Sequence, residues 1–88
     1  MNVEFTRKFE KQFDKIRDKK LKEQISEVVR TVIASESLSQ LVNLKKLKGF
    51  STAYRISTGN FRIGVFYHSG KIIFAALADR KDIYKIFP

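Results

Sequence analysis

Cysteine is absent from the 88-residue chain, which excludes a disulfide framework and any thiolate metal site. Histidine occurs once and the nine carboxylates are scattered, so the sequence offers neither a structural zinc nor a calcium site. No metal and no cofactor is expected. The only proline is the last residue, and no Pro- or Gly-rich linker, repeat or low-complexity tract interrupts the chain. A length of 88 residues leaves room for one domain, residues 1–88, with one modest core. No stretch approaches the about 20 apolar residues that cross a bilayer, and the segment MNVEFTRKFEK lacks the apolar region of a signal peptide. The expectation is a soluble cytoplasmic protein with no membrane association.

Negative charge is missing from one half of the molecule. Between Glu36 and Asp79 there is no acidic residue, while Lys45, Lys46, Lys48, Arg55, Arg62 and Lys71 all fall in that interval. The N-terminal third instead mixes Glu10, Asp14, Asp18, Glu23 and Glu27 with its lysines, the pattern of solvated helix faces. The formal charge of +9 therefore resides mainly in the second half. A field of that sign and size on so small a body favours a polyanionic or acidic partner.

A hydrophobic content of 43%, with eight Phe and three Tyr, is that of a folded domain. Phe5, Phe9, Phe13 and Ile16 recur at steps of four, four and three, one face of a helix. Leu21, Ile25, Val28, Val29, Val32 and Ile33 define a second amphipathic helix, so a helical hairpin is predicted. Leu38 to Leu47 read as a short helix or turn followed by an extended lead-in. Tyr54–Thr58, Phe61–Tyr67 and Lys71–Ala78 are three strands joined by Gly59-Asn60 and Ser69-Gly70, an antiparallel meander. Val3-Glu4-Phe5 offers a further strand at the edge. The fold class is α+β: an N-terminal helical hairpin packed on a small twisted antiparallel sheet, closed by a short C-terminal turn or helix.

Alternation assigns the faces of the strands. Phe61, Ile63, Val65 and Tyr67 point to the helices, and Arg62, Gly64, Phe66 and His68 to the opposite, open face. Arg55 is expected to share that face at about the height of Arg62, with Arg80 at its rim and Tyr84 four residues beyond. Three arginines and a tyrosine on a sheet without acid form a site for a phosphate backbone. Lys45, Lys46, Lys48 and Lys81 supply an RNA-facing basic patch, or plain solubilising charge. His68, in a turn, reads as solvated.

Leu47-Lys48-Gly49 leading into Tyr54-Arg55-Ile56, then Phe61-Arg62-Ile63, then Asp79-Arg80-Lys81-Asp82-Ile83-Tyr84, is a distinctive order at this length. In these features the chain resembles the RelE/ParE superfamily of type II toxins. The resemblance implies a RelE-like ribosome-dependent messenger-RNA endonuclease, bacterial or archaeal, held inactive by an acidic antitoxin. It implies catalytic roles for Arg62, Arg80, Tyr84 and Arg55, with the ribosome and mRNA as partners. Two positions depart from the family pattern: Ser57 stands where RelE-type sites carry a second lysine, and Asp79 where many relatives carry His. The arginines would stabilise the extra phosphorane charge, and Tyr84 would stack on a base or donate its phenolic proton. No general base is evident. Two alternatives stay open: a ParE-like inhibitor of DNA gyrase without nuclease activity, and a non-catalytic basic RNA-binding domain.

Overall fold

A computed structural model describes residues 1–88. Strand β1 (Asn2–Phe5) is followed by helices α1 (Arg7–Asp14) and α2 (Lys19–Ala34). After a short 3-10 turn come β2 (Leu44–Lys46), β3 (Ala53–Thr58), β4 (Phe61–His68), β5 (Lys71–Asp79) and the four-residue helix α3 (Ile83–Ile86). The strands form one five-stranded sheet in the order β1-β5-β4-β3-β2, antiparallel except for β1, which runs parallel to β5.

Local chemistry sets the boundaries of these elements. The Thr6 hydroxyl accepts from the Phe9 N–H and starts α1, while the Asp18 carboxylate accepts from Lys20 and Leu21 N–H and starts α2. The short β3–β4 and β4–β5 connections place Gly59 at φ 56°, and Ser69 and Gly70 at 48° and 80°. Positive φ is the geometry that two-residue hairpins require to match strand twist.

Helices α1 and α2 cover one face of the sheet. There Phe9, Ile25 and Val32 pack on Ile56, Ile63, Val65, Ile72, Phe74 and Leu77, all buried. Phe61 and Tyr67 join this core, as alternation along β4 predicts. Phe74 and Leu77, three apart, would point to opposite faces of a regular strand. A bulge resolves the conflict: Gly64 pairs with Ala76 and Val65 with Phe74, so Ala75 is the extra residue. Ala75 and Ala76 then both turn to the other face.

One expectation is extended and two are corrected. The sheet has five strands: Asn2–Phe5 pairs with β5 as the expected edge strand, and the lead-in, read only as extended, supplies a further one, Leu44–Lys46, paired with β3. Phe5 ends β1 instead of opening a helix, and Ile16 lies past the end of α1; Phe5 still stacks on Phe74 at 5.2 Å, and on Phe9 at 5.7 Å between centroids. The face opposite the helix pair is not open. Its middle is covered by the C-terminal segment, where Ile83 and Phe87 bury against Leu47, Ala53, Ala75 and Ala76.

Phe74 has no exposed surface and contacts both Phe5 and Phe9. Phe74→Ala is expected to lower the unfolding free energy by about 3–5 kcal/mol, and urea denaturation followed by circular dichroism measures it. Thr6→Ala, which removes only the cap of α1, should lose about 1 kcal/mol in the same assay.

Candidate active site

Gly64 lies in the middle of β4 with no side chain, and Phe87 uses the space. A Cβ built at Gly64 would meet the Phe87 ring closer than real side chains tolerate. Phe87 also packs on Phe66, centroid to centroid at 5.0 Å. This contact anchors α3 and sets where Tyr84 stands. The lead to α3 is a tight turn in which Asp79 accepts from Lys81 N–H at 3.1 Å and Asp82 N–H donates to the Asp79 carbonyl at 2.9 Å. Asp79 thus has a structural role in this turn.

Between α3 and the β2–β3 edge lies a cleft of about 480 Å³, lined by Lys45, Lys46, Leu47, Lys48, Phe50, Arg55, Tyr84, Phe87 and Pro88. None of these residues is acidic. Lys45 and Arg55 are direct cross-strand partners. Two like charges so placed repel one another unless an anion lies between or above them. Arg55 is half-buried; its Nη1 donates to the Ser57 hydroxyl at 2.6 Å, and its Nε–H is buried without a partner. A guanidinium has five N–H donors, so most of this fork is unspent. Ser57 orients Arg55 through its hydroxyl and adds no charge of its own.

The remaining arginines lie alongside the cleft rather than in its lining. Arg62 pairs in register with Ser57, and Arg55 with Gly64, so the two arginines are offset by two residues along the strand and are not at one height. The Arg62 Nη1 donates to the Gly59 carbonyl at 3.0 Å and to the Phe61 carbonyl at 2.9 Å, which turns its head toward the hairpin. Arg80 is exposed just past β5, with its backbone N–H bonded to the Asn60 carbonyl at 2.8 Å, at that same end of the sheet. Lys81 is exposed on the turn outside the cleft, and His68 is exposed at the far end of β4. The geometry therefore gathers Arg55, Lys45, Lys46, Lys48 and Tyr84, and leaves Arg62 and Arg80 as a second basic pair beside them. Such a surface can hold a phosphodiester backbone and offer it a phenol.

Two aromatic residues of the cleft lie outside the site expected from sequence: Phe87, its back wall, and Phe50, on its rim. A glycine inside an apolar strand signals close approach by another group, which was the available sign of the Gly64–Phe87 contact. No group of His, Cys, Asp or Glu could hold a metal ion, and no helix is long and apolar enough to cross a membrane.

The fold superposes on a chain of the RelB–RelE antitoxin–toxin complex from Methanococcus jannaschii with a TM-score of 0.81 and 32% identity, covering 98% of this chain and 100% of that one. The chain belongs to the RelE toxin family. Over 55 residues this RelE-family chain is 46% identical to toxin RelE3 of Methanocaldococcus jannaschii; the match covers 61% of the chain and 62% of that relative, less than two thirds of its length. The archaeal RelE–RelB complex from Pyrococcus horikoshii OT3 matches in fold alone, with a TM-score of 0.70 at 17% identity over 90% of this chain and 93% of that one. No protein-family model matches the sequence.

Gly64→Ala tests how the RelE-family tail is anchored. The added methyl group should displace Phe87 and lower stability by about 1–3 kcal/mol. Combined with Phe87→Ala, it should cost much less than the sum of the two single changes. A double-mutant cycle by chemical denaturation measures the coupling; additive losses would mean that the two residues do not share one contact.

Proposed function

We propose that the chain is a toxin that cuts messenger RNA on the ribosome, and that a co-expressed acidic antitoxin covers its basic face. The observation that carries this reading is the acid-free cleft in which Arg55, Lys45, Lys46, Lys48 and Tyr84 converge, with Arg62 in the adjacent register pair. The relative named toxin RelE3 and the antitoxin–toxin complexes that share the fold support it.

In the proposed reaction the RNA 2′-oxygen attacks the adjacent phosphorus, and the bond from phosphorus to the 5′-oxygen breaks. A 2′,3′-cyclic phosphate and a 5′-hydroxyl result. The proton of the 2′-hydroxyl must leave, and the 5′-oxygen must gain one. The arginines cannot exchange protons, so they act on the developing phosphorane charge. Arg55 is held by Ser57 with its fork toward the cleft. Arg62 must trade its two carbonyl partners for phosphate oxygens, an exchange favoured because hydrogen bonds between two ions are stronger than those from an ion to a neutral carbonyl. In this reading the Tyr84 phenol, which lines the same cleft, donates to the phosphate or the leaving oxygen. The ribosome would align the message, leaving the free toxin inert on bare RNA.

Arg62→Ala and Arg55→Ala should each slow cleavage about 10²- to 10³-fold, the effect of removing one donor to a developing oxyanion. Tyr84→Phe should lose a comparable factor if its proton takes part. Mapping of message 5′ ends on translating ribosomes measures the rates. In-frame cuts by the wild type that both arginine variants lose are the expected result. Wild-type rates in either variant would remove that residue from the reaction. Growth arrest with intact messages and accumulated gyrase–DNA breaks would assign the chain to a gyrase-inhibiting activity.

A further inference from the structure

Phe50 is a large apolar side chain in the least expected place. It follows Gly49, whose φ of 85° turns the β2–β3 loop, and it is 49% exposed on the rim of a cleft whose other rim residues include Lys45, Lys46 and Lys48. Neither buried core contains it. Nor is it among the partly buried residues packed against either core. Tyr84, 62% exposed, lines the same cleft from α3. An exposed aromatic among cations, with no acidic residue in the lining, has the composition of a platform for single-stranded nucleic acid: the cations take the phosphates and the ring faces take the bases. A volume of about 480 Å³ lies within the range of sites that hold a small organic ligand, which suits a nucleotide.

We propose that Phe50 is a base-stacking residue of the cleft, taking one nucleobase of a single-stranded RNA whose phosphate lies on Arg55 and Lys45. This rests on the reading of the cleft as an RNA site and adds a contact to a base rather than to the backbone. Stacking tolerates any base, so Phe50 contributes affinity and alignment more than sequence choice. An apolar protein segment could also cover an exposed phenylalanine, but the lysines around Phe50 favour the polyanion.

The chain contains no tryptophan, so Phe50→Trp creates a single tryptophan at the site, which can be excited selectively over the three tyrosines. Its emission should be quenched by a short single-stranded RNA at low ionic strength, and not by an oligonucleotide of equal phosphate count made abasic throughout. Equal quenching by both, or by neither, overturns the proposal. On programmed ribosomes, Phe50→Leu should raise the concentration of toxin needed for half-maximal cleavage by about 5- to 150-fold, the equivalent of one lost stack. Phe50→Tyr, which keeps the ring face, should recover most of what Phe50→Leu loses. An abasic site at the contacted message position should abolish the difference between wild type and Phe50→Leu. A Phe50→Leu variant that cleaves like wild type, or that loses only antitoxin binding, overturns the stacking role while Arg55→Ala still reports on the cleft. If the wild type fails to cleave at all, the nuclease reading fails and the fluorescence titration alone decides the stacking contact.

Discussion

Phe87 lies on Gly64 where a methyl group would not fit, and the cleft depends on that contact. Without it α3 is held by Ile83, Ile86 and the Lys8 Nζ–H donated to the Ile86 carbonyl, and the position of Tyr84 loosens. The small residues beneath the tail serve the same end. Ala53, Ala75 and Ala76 keep the second face shallow enough for a four-residue helix to seat on it. The bulge at Ala75 makes this possible without emptying the main core, because it turns Ala75 and Ala76 together toward the tail and leaves Phe74 and Leu77 on the helix side. One irregularity in β5 thus serves both hydrophobic clusters.

Electrostatics in the cleft follow from the same arrangement. The helix pair mixes charges of both signs: Arg30 bonds Glu27 and Glu23 on the exposed face of α2, and these hydrogen bonds hold its guanidinium even more firmly protonated than usual. Strands β2, β3 and β4 contain no acidic residue, so Arg55, Arg62 and the β2 lysines find no such partners there. Arg55 finds a hydroxyl, Arg62 two backbone carbonyls, and neither charge is neutralised. Cations left unpaired on a rigid sheet are prepaid attraction for an anion, because their orientation entropy has already been lost on folding. The family assignment and this charge arrangement point the same way while resting on different observations.

Much of the architecture is legible in periodicity. The apolar spacing of α2, the alternation of β4 and the two glycine-containing turns each follow from one local rule and hold in the structure, except that Ile33 at the end of α2 is exposed. What escapes local rules is what depends on pairing between distant segments. Phe5 fits a helical step to Phe9 as well as a strand, and only the pairing of β1 with β5 decides between them. The offset of Arg55 from Arg62 is set by register, because a two-residue turn aligns Thr58 with Phe61 and therefore Ser57 with Arg62. The basic residues of the site could be named from sequence because charge and order mark them. Their division into a cleft set and a hairpin set could not, since it depends on where the tail lies. Phe50 and Phe87 carry no distinguishing pattern among eight phenylalanines. Their roles emerge only when exposure separates one from the core and the space over Gly64 claims the other.

The Arg55 Nε–H gives the most direct test that this cleft is the phosphate site, because it is the buried donor without a partner. The measurement is the Nε–H resonance of Arg55 in an arginine-selective 1H–15N correlation spectrum, recorded as a single-stranded RNA with 2′-O-methyl groups, and hence uncleavable, is added. If the cleft binds the backbone, this resonance moves in step with occupancy and its exchange with water slows. If the RNA binds while the Arg55 resonance stays in place and other arginines shift, the phosphate site lies elsewhere on the surface.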